Sequence, residues 1–363
     1  MRVGIIGVGQ AGGRIADLLM YHSLWGMHQG IVPFALAVNS AQADLMGLQT
    51  IKKSDRILVG QTEVKGHGVG LNRLVGARIA QHWIHAIMHP ITEKVVHHID
   101  AFLVIAGLGG GTGSGGAPVI ISKLRQVYDE PIFLLGVLPS EDEGKLMTVN
   151  ALECLQEIDG LVNGILIFDN DVWKKEEAAL STSYSIMNWE LVKPLPLMLA
   201  AGEATRDRVG IKVVDASDVI NSWDGLSYIG YSEMKAKRAR DRIFFFRKKT
   251  SIDQLDPAMR CYTAVRNAAT LRLTGDCDIK GAQKALMIIA GPPDELNMEG
   301  FNQAKSWLED NIATAEVRGG DCPIKGWDSV AGMVLLSGYT EIPRLGIKLQ
   351  NSKVSDKKKK ETD

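Results

Sequence analysis

Short runs of consecutive apolar residues alternate with stretches of helical periodicity in the amino-terminal half of the chain. The runs fall at residues 3–6, 35–38, 57–59, 102–106, 132–138 and 165–168. Continuous rather than alternating apolarity is typical of strands buried on both faces, and the intervening helices favour right-handed parallel crossovers. We therefore predict a doubly wound α/β domain with a parallel sheet, whose ligands bind at the carboxyl ends of the strands.

A helix-like segment at 181–204 follows this domain. Pro194 and Pro196 predict a kink or break in it, because proline lacks the amide donor and clashes with the preceding turn. The rest of the chain is expected to form a smaller α+β unit with a mixed sheet. Its predicted helices are 215–223, 256–270 and 299–311, and its apolar runs are 270–273, 286–290, 314–317 and 330–337. The predicted division is thus 1–180, a central helix at 181–204, 205–346, and a disordered tail at 347–363.

Composition narrows the class of protein. The 363 residues include 41 Lys and Arg against 42 Asp and Glu, so the chain has no overall basic field for nucleic acid. The four cysteines form no C-x-x-C pair, which disfavours a zinc cluster or a disulfide framework. The chain shows neither a stretch of about 18 consecutive apolar residues nor a signal-peptide pattern. We expect a soluble, cytoplasmic protein that does not bind nucleic acid.

The most informative motif is the run GGGTGSG at residues 109–115. It lies between the strand predicted at 102–106 and a helical pattern. This arrangement binds phosphate, because residues without Cβ let backbone amides approach the oxygens. The run lacks the Gly-Lys-Ser/Thr ending of a P-loop, so no lysine reaches the phosphates here. Phosphate charge would be balanced by amides, a metal ion and the hydroxyls of Thr112 and Ser114.

A second glycine motif, G-x-G-x-x-G at residues 7–12, directly follows the first predicted strand. Alone, this pattern is typical of a dinucleotide-binding dehydrogenase. That interpretation requires an acidic residue at the end of the second strand, where the ribose hydroxyls bind. The second strand instead ends at Asn39 and Ser40, and no carboxylate occurs before Asp44. Two phosphate-facing loops on neighbouring strands fit a nucleoside triphosphate better.

Four motifs resemble, in order, the nucleotide loops of the tubulin/FtsZ superfamily. They are GQAGG at 9–13, NSAQA at 39–43, GHGVGLN at 66–72 and GGGTGSG at 109–115. The strings VLP at 137–139 and FDND at 168–171 are similar to those of the archaeal CetZ proteins within that superfamily. The resemblance continues to residue 344. It implies the superfamily's GTPase fold, GTP or GDP as ligand, and Mg²⁺.

The resemblance also implies which residues hold the nucleotide. The phosphate-binding residues would be Gly9, Gln10, Ala11, Gly12, Gly70, Asn72, Gly109, Gly110, Gly111, Thr112, Gly113, Ser114 and Gly115. Gln10 would also contact the metal ion, and Glu143 matches the acidic residue that binds the ribose. The base would be recognised by Asn39, Asn170, Tyr184 and Asn188. An aromatic face and amide groups with both donor and acceptor then favour guanine over adenine. From the residues alone, Glu143 is equally a solvated loop carboxylate, and Tyr184 a packed side chain.

Asp215 and Asp218 are the predicted catalytic residues. At i and i+3 they share one helical face and can together orient and polarise a water molecule. Such pairs also occur as ordinary helix starts, where carboxylates favour the positive end of the dipole. By resemblance, acids at this place enter the nucleotide pocket of the next subunit, so hydrolysis begins on assembly. Val213 stands where FtsZ has an asparagine, which predicts slower hydrolysis.

The sequence therefore predicts a GTP-hydrolysing cytoskeletal protein that assembles head-to-tail into filaments and serves cell shape. Two alternatives stay open: an NAD(P)-dependent dehydrogenase, and a filament protein that binds GTP with little hydrolysis. The basic stretch at 235–249 is interpreted as a surface loop. The lysines at 357–360 are interpreted as a solubilising end with, at most, weak contact to a membrane surface.

Overall fold

The computed structural model describes residues 1–25, 30–95, 98–173, 187–200, 210–236, 255–314 and 316–349. Three of the features singled out above therefore lie wholly or mostly outside the described residues. They are Tyr184, the basic stretch at 235–249 and the lysines at 357–360.

The amino-terminal half forms the predicted parallel sheet. Its strands are β1 (Val3–Val8), β2 (Phe34–Asn39), β3 (Arg56–Leu58), β4 (Ala101–Gly107), β5 (Ile132–Leu138) and β6 (Gly164–Asp169). Its helices are α1 (Gly9–Trp25), α2 (Gln42–Met46), α3 (Gln61–Val64), α4 (Arg73–His82), α5 (Ile84–Val95), α6 (Gly111–Val127), α7 (Lys145–Ile158) and α8 (Asn170–Trp173). Successive residues of β1 belong to separate core clusters, Ile5 to one and Ile6 to the other. Both faces of the strand are buried, which explains the unbroken apolar runs and confirms the doubly wound fold.

The carboxyl-terminal half adds a mixed sheet, as predicted. Its strands are β7 (Gly225–Lys235), β8 (Lys284–Gly291), β9 (Glu316–Pro323), β10 (Ser329–Tyr339), β11 (Glu341–Ile342) and β12 (Ile347–Lys348). Its helices are α9 (the helical residues 187–192), α10 (Pro194–Ala200), α11 (Ala216–Ser222), α12 (Pro257–Leu271) and α13 (Met298–Asn311). β10 is antiparallel to both β7 and β8, whereas β9 is parallel to β8.

One continuous sheet joins the two halves, in the order β3-β2-β1-β4-β5-β6-β7-β10-β8-β9. The joining strand β7 is missing from the predicted apolar runs, yet it starts at Gly225 and pairs in parallel with β6 through the pair Gly164–Gly225 and the next two pairs. The run at 270–273 is not a strand, contrary to expectation. α12 continues to Leu271, and Leu273 makes only an isolated bridge to Gly230.

The predicted interruption of the central segment is confirmed. α9 ends before Lys193, and α10 begins at Pro194. Proline fits the first position of a helix because its missing N–H would have no partner there. None of the described helices is both long and apolar enough to cross a membrane.

Candidate nucleotide-binding site

The strand order changes direction between β1 and β4, and the two glycine motifs follow these two strands. The amino-terminal order is β3-β2-β1-β4-β5-β6, and each of these pairs is parallel. In such sheets ligands bind in the crevice at the carboxyl ends of the strands where the order reverses. α1 begins at Gly9, directly after β1, and α6 begins at Gly111, after the link at 108–110. The predicted phosphate loops are thus neighbours in the fold.

The two glycine loops are packed backbone to backbone. A Cβ at Gly12 would clash with the carbonyl oxygen of Ile105, and one at Gly113 with that of Gly107. Gly9 has a φ of +74°, which side chains rarely adopt, and a Cβ on it would lie 3.0 Å from the amide nitrogen of Gly113. These glycines are therefore required for α1 and α6 to approach β4 and each other.

Other glycines of the site border open space. No atom of a non-neighbouring residue lies within 4 Å of the Cβ position of Gly70, Gly110 or Gly144. Gly110 is the N-cap of α6, a helix of 17 residues. The first N–H groups of a helix have no acceptor within the helix and lie at its positive end. Backbone donors beside an open space fit an anion, and a polyphosphate in particular.

The two hydroxyls predicted to face phosphate are bonded within the protein. The Oγ1 of Thr112 lies 2.7 Å from the Oγ of Ser40, which joins the loop after β2 to the loop after β4. The hydroxyl of Ser114 donates to the carbonyl oxygen of Gly110 at 2.6 Å. These bonds fix the shape of the glycine-rich turn, so the hydrogen of Ser114 is committed to the backbone.

Asp44 connects Gln10 and Asn39, two predicted site residues from different motifs. Its carboxylate accepts from the Nε2 of Gln10 at 2.8 Å and from the Nδ2 of Asn39 at 3.0 Å. The Oδ1 of Asn39 accepts from the amide of Ala41, so this oxygen and one N–H of the Asn39 side chain are both used within the segment after β2. Asp44 therefore belongs to the candidate site, although it was not predicted as one of its residues.

The third loop (residues 66–72) is held against the glycine-rich turn (residues 109–115) from two directions. The amide of Gly111 donates to the carbonyl of Gly70 at 2.9 Å, and Asn72 caps α4 by accepting from the amide of Val75. Asn150, on α7, donates from its Nδ2 to the carbonyls of Leu71 at 3.0 Å and Gly109 at 2.8 Å. Asn150 is 3% exposed. Asn150 was not predicted as a site residue, although a polar residue among the apolar positions of α7 indicates a buried amide that needs partners.

The predicted ribose and base residues lie after β5 and β6. Glu143 is half-buried in the otherwise exposed turn Glu141–Glu143, and Asn170 is the buried first residue of α8. Asn188 lies on α9 and is half-buried, while Tyr184 lies outside the described residues. The two turns therefore lie next to each other, at the same edge of the sheet as the glycine loops, because β4, β5 and β6 are parallel neighbours.

Arg344 connects these two turns. It donates to the Oδ2 of Asp169 at 2.8 Å, to the Oδ2 of Asp171 at 2.9 Å and to the carbonyl oxygen of Pro139 at 2.8 Å. Burial raises the pKa of Asp169, and the charge of Arg344 opposes that rise. From the sequence, Arg344 was not predicted to be near the site.

The predicted catalytic pair forms a capping box at the start of α11. Asp215 accepts from the amide of Asp218 at 2.8 Å, and Asp218 accepts from the amide of Asp215 at 3.2 Å. Asp218 also pairs with the Nε of Arg318 at 3.3 Å. A hydrogen bond from the Ser217 hydroxyl, together with amide donors, lowers the pKa of Asp215. Among the described residues, neither carboxylate bonds to a glycine loop.

Two family models together match nearly the whole chain. Residues 2–176 match the Tubulin/FtsZ family, GTPase domain, and residues 177–353 match the Tubulin-like CetZ, C-terminal domain. Tubulin-like protein CetZ1 of Haloferax volcanii is 42% identical over 356 residues, which cover 95% of this chain and 90% of the relative. The chain belongs to the CetZ group of the tubulin/FtsZ family. The superfamily predicted from the loops is confirmed, and the dehydrogenase alternative is dropped.

Solved CetZ structures have the same fold. CetZ1 from Haloferax volcanii, a GDP-bound monomer, aligns with a TM-score of 0.83 at 41% identity and covers 95% of this chain and 96% of its own. CetZ2 from the same organism, a GTPγS-bound protofilament, aligns with a TM-score of 0.80 at 35% identity, covering 93% of each chain. The predicted fold class is therefore confirmed for the second half of this CetZ chain as well as the first.

Proposed function

We propose that this CetZ-family chain binds GTP with Mg²⁺, assembles head-to-tail into filaments and hydrolyses GTP where two copies meet. The separation of the acid pair from the glycine loops carries the proposal. α11 leads into the start of β7, beside the start of β6, whereas the glycine loops follow the ends of β1 and β4. One copy cannot apply its own Asp215 and Asp218 to its own loops, but a neighbouring copy can.

The crevice suits a nucleotide and its metal ion. Mg²⁺ in such sites takes one or two protein oxygens and completes its shell with phosphate and water. Gln10 and Asp44 supply oxygens beside the first glycine loop. The described residues hold no cluster of three metal-binding side chains, which fits an ion that enters with the nucleotide. When bound, the ion would offset phosphate charge. The other residues proposed to bind the nucleotide are those given above from the resemblance to the tubulin/FtsZ superfamily.

Hydrolysis requires an in-line water molecule and stabilisation of phosphate charge. The amides at the start of α6 supply the second requirement. Asp215, whose pKa is lowered, stays ionised and can accept a hydrogen bond from the water. Asp218 is oriented by Arg318 and by the capping box. We therefore assign the two carboxylates to the water that attacks the γ-phosphate on the neighbouring copy.

Exposed apolar side chains flank both halves of the proposed shared site. Leu74 and Leu146 are exposed at the starts of α4 and α7, next to the nucleotide loops. Ile211 and Val213, just before the acid pair, are 82% and 57% exposed. Two different apolar surfaces on one chain fit a heterologous contact that repeats into a filament. The GTPγS-bound protofilament of the relative CetZ2 supports the same arrangement.

We also propose four properties that the sequence predicts. They are a role in cell shape, a cytoplasmic location, domain boundaries at residues 180, 204 and 346, and weak contact of the tail with a membrane surface. The family match supports the first of them, because the relatives are tubulin-like proteins.

Mixing two inactive variants tests the shared site. Gly110→Asp places a carboxylate in the open space next to the glycine loop and should abolish nucleotide binding while leaving the fold intact. Asp218→Ala should bind GTP but release no phosphate. If the site is shared, the mixture should release phosphate, because the first variant supplies Asp218 to GTP held by the second. Phosphate release is measured in parallel with light scattering under GTP and GDP.

Asp256→Ala is the control for the loss of a carboxylate at a helix start, since Asp256 caps α12 as Asp215 caps α11 and lies outside the proposed site. It should keep wild-type turnover. A mixture that releases no more phosphate than its two components, or an Asp218→Ala variant with full turnover, contradicts the shared site. Filament growth without phosphate release from the wild type would select the alternative of a GTP-binding protein with little hydrolysis, which the exposed Val213 favours. Val213→Asn should then raise turnover.

A further inference from the structure

The short hairpin of β11 and β12 returns the chain from the second half to the nucleotide crevice. β11 and β12 pair antiparallel, and Ile342 and Ile347 are buried in the core cluster that also contains Leu226 of β7. Arg344 lies in the turn between these strands. Because both strands of the hairpin are anchored in the core, the position of this turn relative to the sheet is fixed.

From the hairpin turn, Arg344 donates hydrogen bonds to three acceptors on two other loops. Its partners are the carboxylates of Asp169 and Asp171, after β6, and the carbonyl of Pro139, after β5. Asp169 is 4% exposed, and the Arg344 side chain is 17% exposed. Charge-assisted bonds from a planar guanidinium fix direction as well as distance.

The contacts continue from Arg344 to Glu141, which precedes Glu143, and to the two residues on either side of Asn170. Asp171 accepts from the amide of Glu141 at 3.0 and 3.2 Å, and Glu141 begins the turn that contains Glu143. Asp169 accepts from the amide of Asp171 at 3.0 Å, which closes the backbone around Asn170. The guanidinium, two carboxylates and two turns form one connected network.

We propose that Arg344, in the carboxyl-terminal half of the chain, is a positioning residue for the nucleotide site. It holds in place the turn that contains Glu143 and the turn that contains Asn170. The proposal rests on the proposed function, since it assumes that Glu143 faces ribose and Asn170 faces guanine. Arg344 bonds to neither Glu143 nor Asn170. It fixes their positions through Asp171 and Asp169, and it makes no bond to the glycine loops.

Selectivity between nucleotides tests this role, because a general loss of stability does not change a ratio of affinities. Dissociation constants for GDP, 2′,3′-dideoxy-GDP and ADP are measured for the wild type, Arg344→Lys and Arg344→Gln. We expect Arg344→Gln to lose about tenfold in the preference for GDP over each analogue, the worth of one or two hydrogen bonds. Arg344→Lys should keep part of the preference, because the charge remains without the planar fork.

Arg125→Gln is the matched control. Arg125 also bridges two acceptors, the carbonyl of Leu161 and the Oδ1 of Asn163, near the start of β6 and away from the crevice. It should keep the wild-type ratios even if it loses stability. Should Arg344→Gln fail to fold, Asp171→Ala carries the same comparison, because it removes the acceptor of the Glu141 amide and leaves Asp169 paired with Arg344.

The outcomes separate this proposal from the proposed function. A wild type that binds neither GDP nor GTP overturns the proposed function, and this proposal with it. A wild type that binds GDP, with ratios unchanged in Arg344→Gln or in its substitute Asp171→Ala, overturns the positioning role alone. Selectivity lost in that variant and retained in Arg125→Gln supports it.

Discussion

Asn150→Ala should loosen two nucleotide loops at once. The side chain is 3% exposed, and its single amide group joins the carbonyl of Leu71 at 3.0 Å to that of Gly109 at 2.8 Å. Alanine preserves the helix α7, where it is a good helix former, but removes both donors. Two carbonyl groups then lose their partner, and the third loop is freed from the glycine-rich turn on this side.

The size of the effect follows from these two bonds. Each contributes about 1 kcal/mol net, and a buried acceptor left without a partner costs about 1–3 kcal/mol. We expect the free energy of unfolding to fall by about 2–4 kcal/mol. Under the proposed function GDP contacts both loops, so its binding would have to restore the order that Asn150 provides in the wild type. If that costs up to about 2 kcal/mol, the dissociation constant rises by up to roughly thirtyfold.

Urea unfolding and titration with a fluorescent GDP analogue measure the two quantities. Asn163→Ala is the matched control: Asn163 accepts from Arg125 at 2.6 Å and from the amide of Ile132 at 3.0 Å, away from the crevice. It should lose similar stability and keep its affinity for GDP. Equal GDP affinity in the two variants would refute the reasoning, because it would mean that the loops keep their arrangement without Asn150.

Three further predictions concern single residues. Gly113→Ala should lose about 3 kcal/mol in urea unfolding, because the new methyl group meets a backbone carbonyl, whereas Gly110→Ala should keep its stability and bind GDP more weakly. The capping carboxylate of Asp215 has a lowered pKa, so its stabilisation is present above the ordinary carboxyl pKa and is lost as the pH falls through the lowered value. The difference in stability between wild type and Asp215→Asn should therefore shrink in acid, and a constant difference would contradict this. Burial raises the pKa of Cys154 to about 12, so this thiol should resist alkylation at pH 8 until the protein is unfolded, as followed by mass spectrometry.

The parallel sheet and the glycine loops could be predicted because their signals are local. The run at 132–138 became β5 with the same bounds, since a strand buried on both faces must be apolar throughout. The loop at 109–115 was recognisable because close backbone contacts exclude every residue but glycine, as the surroundings of Gly113 show. β7 was missed because its second half, from Tyr231, is only half-buried or exposed and carries polar residues, which weakens the apolar pattern.

The supporting side chains of the site could not be predicted, because their contacts join distant parts of the chain. Asn150 bonds to a residue 79 positions away, and Arg344 bonds to one 175 positions away. No pattern within one element contains such a pairing. For Asp215 and Asp218 the sequence offered two interpretations, an ordinary helix start and a catalytic pair. The capping box agrees with the first, and the second depends on a neighbouring copy.

The two outermost strands of the sheet limit how copies of this chain can join. β3 has only three residues, and β9 carries Glu316, Arg318 and Asp321 and ends at Pro323. Short, charged or proline-ended margins resist the addition of a foreign strand. The edge strands of two copies are therefore poorly suited to pair with each other through backbone hydrogen bonds, as strands do in amyloid. Contacts between copies must instead be made by side chains and turns. An assembly built from such contacts can come apart subunit by subunit without unfolding any of them.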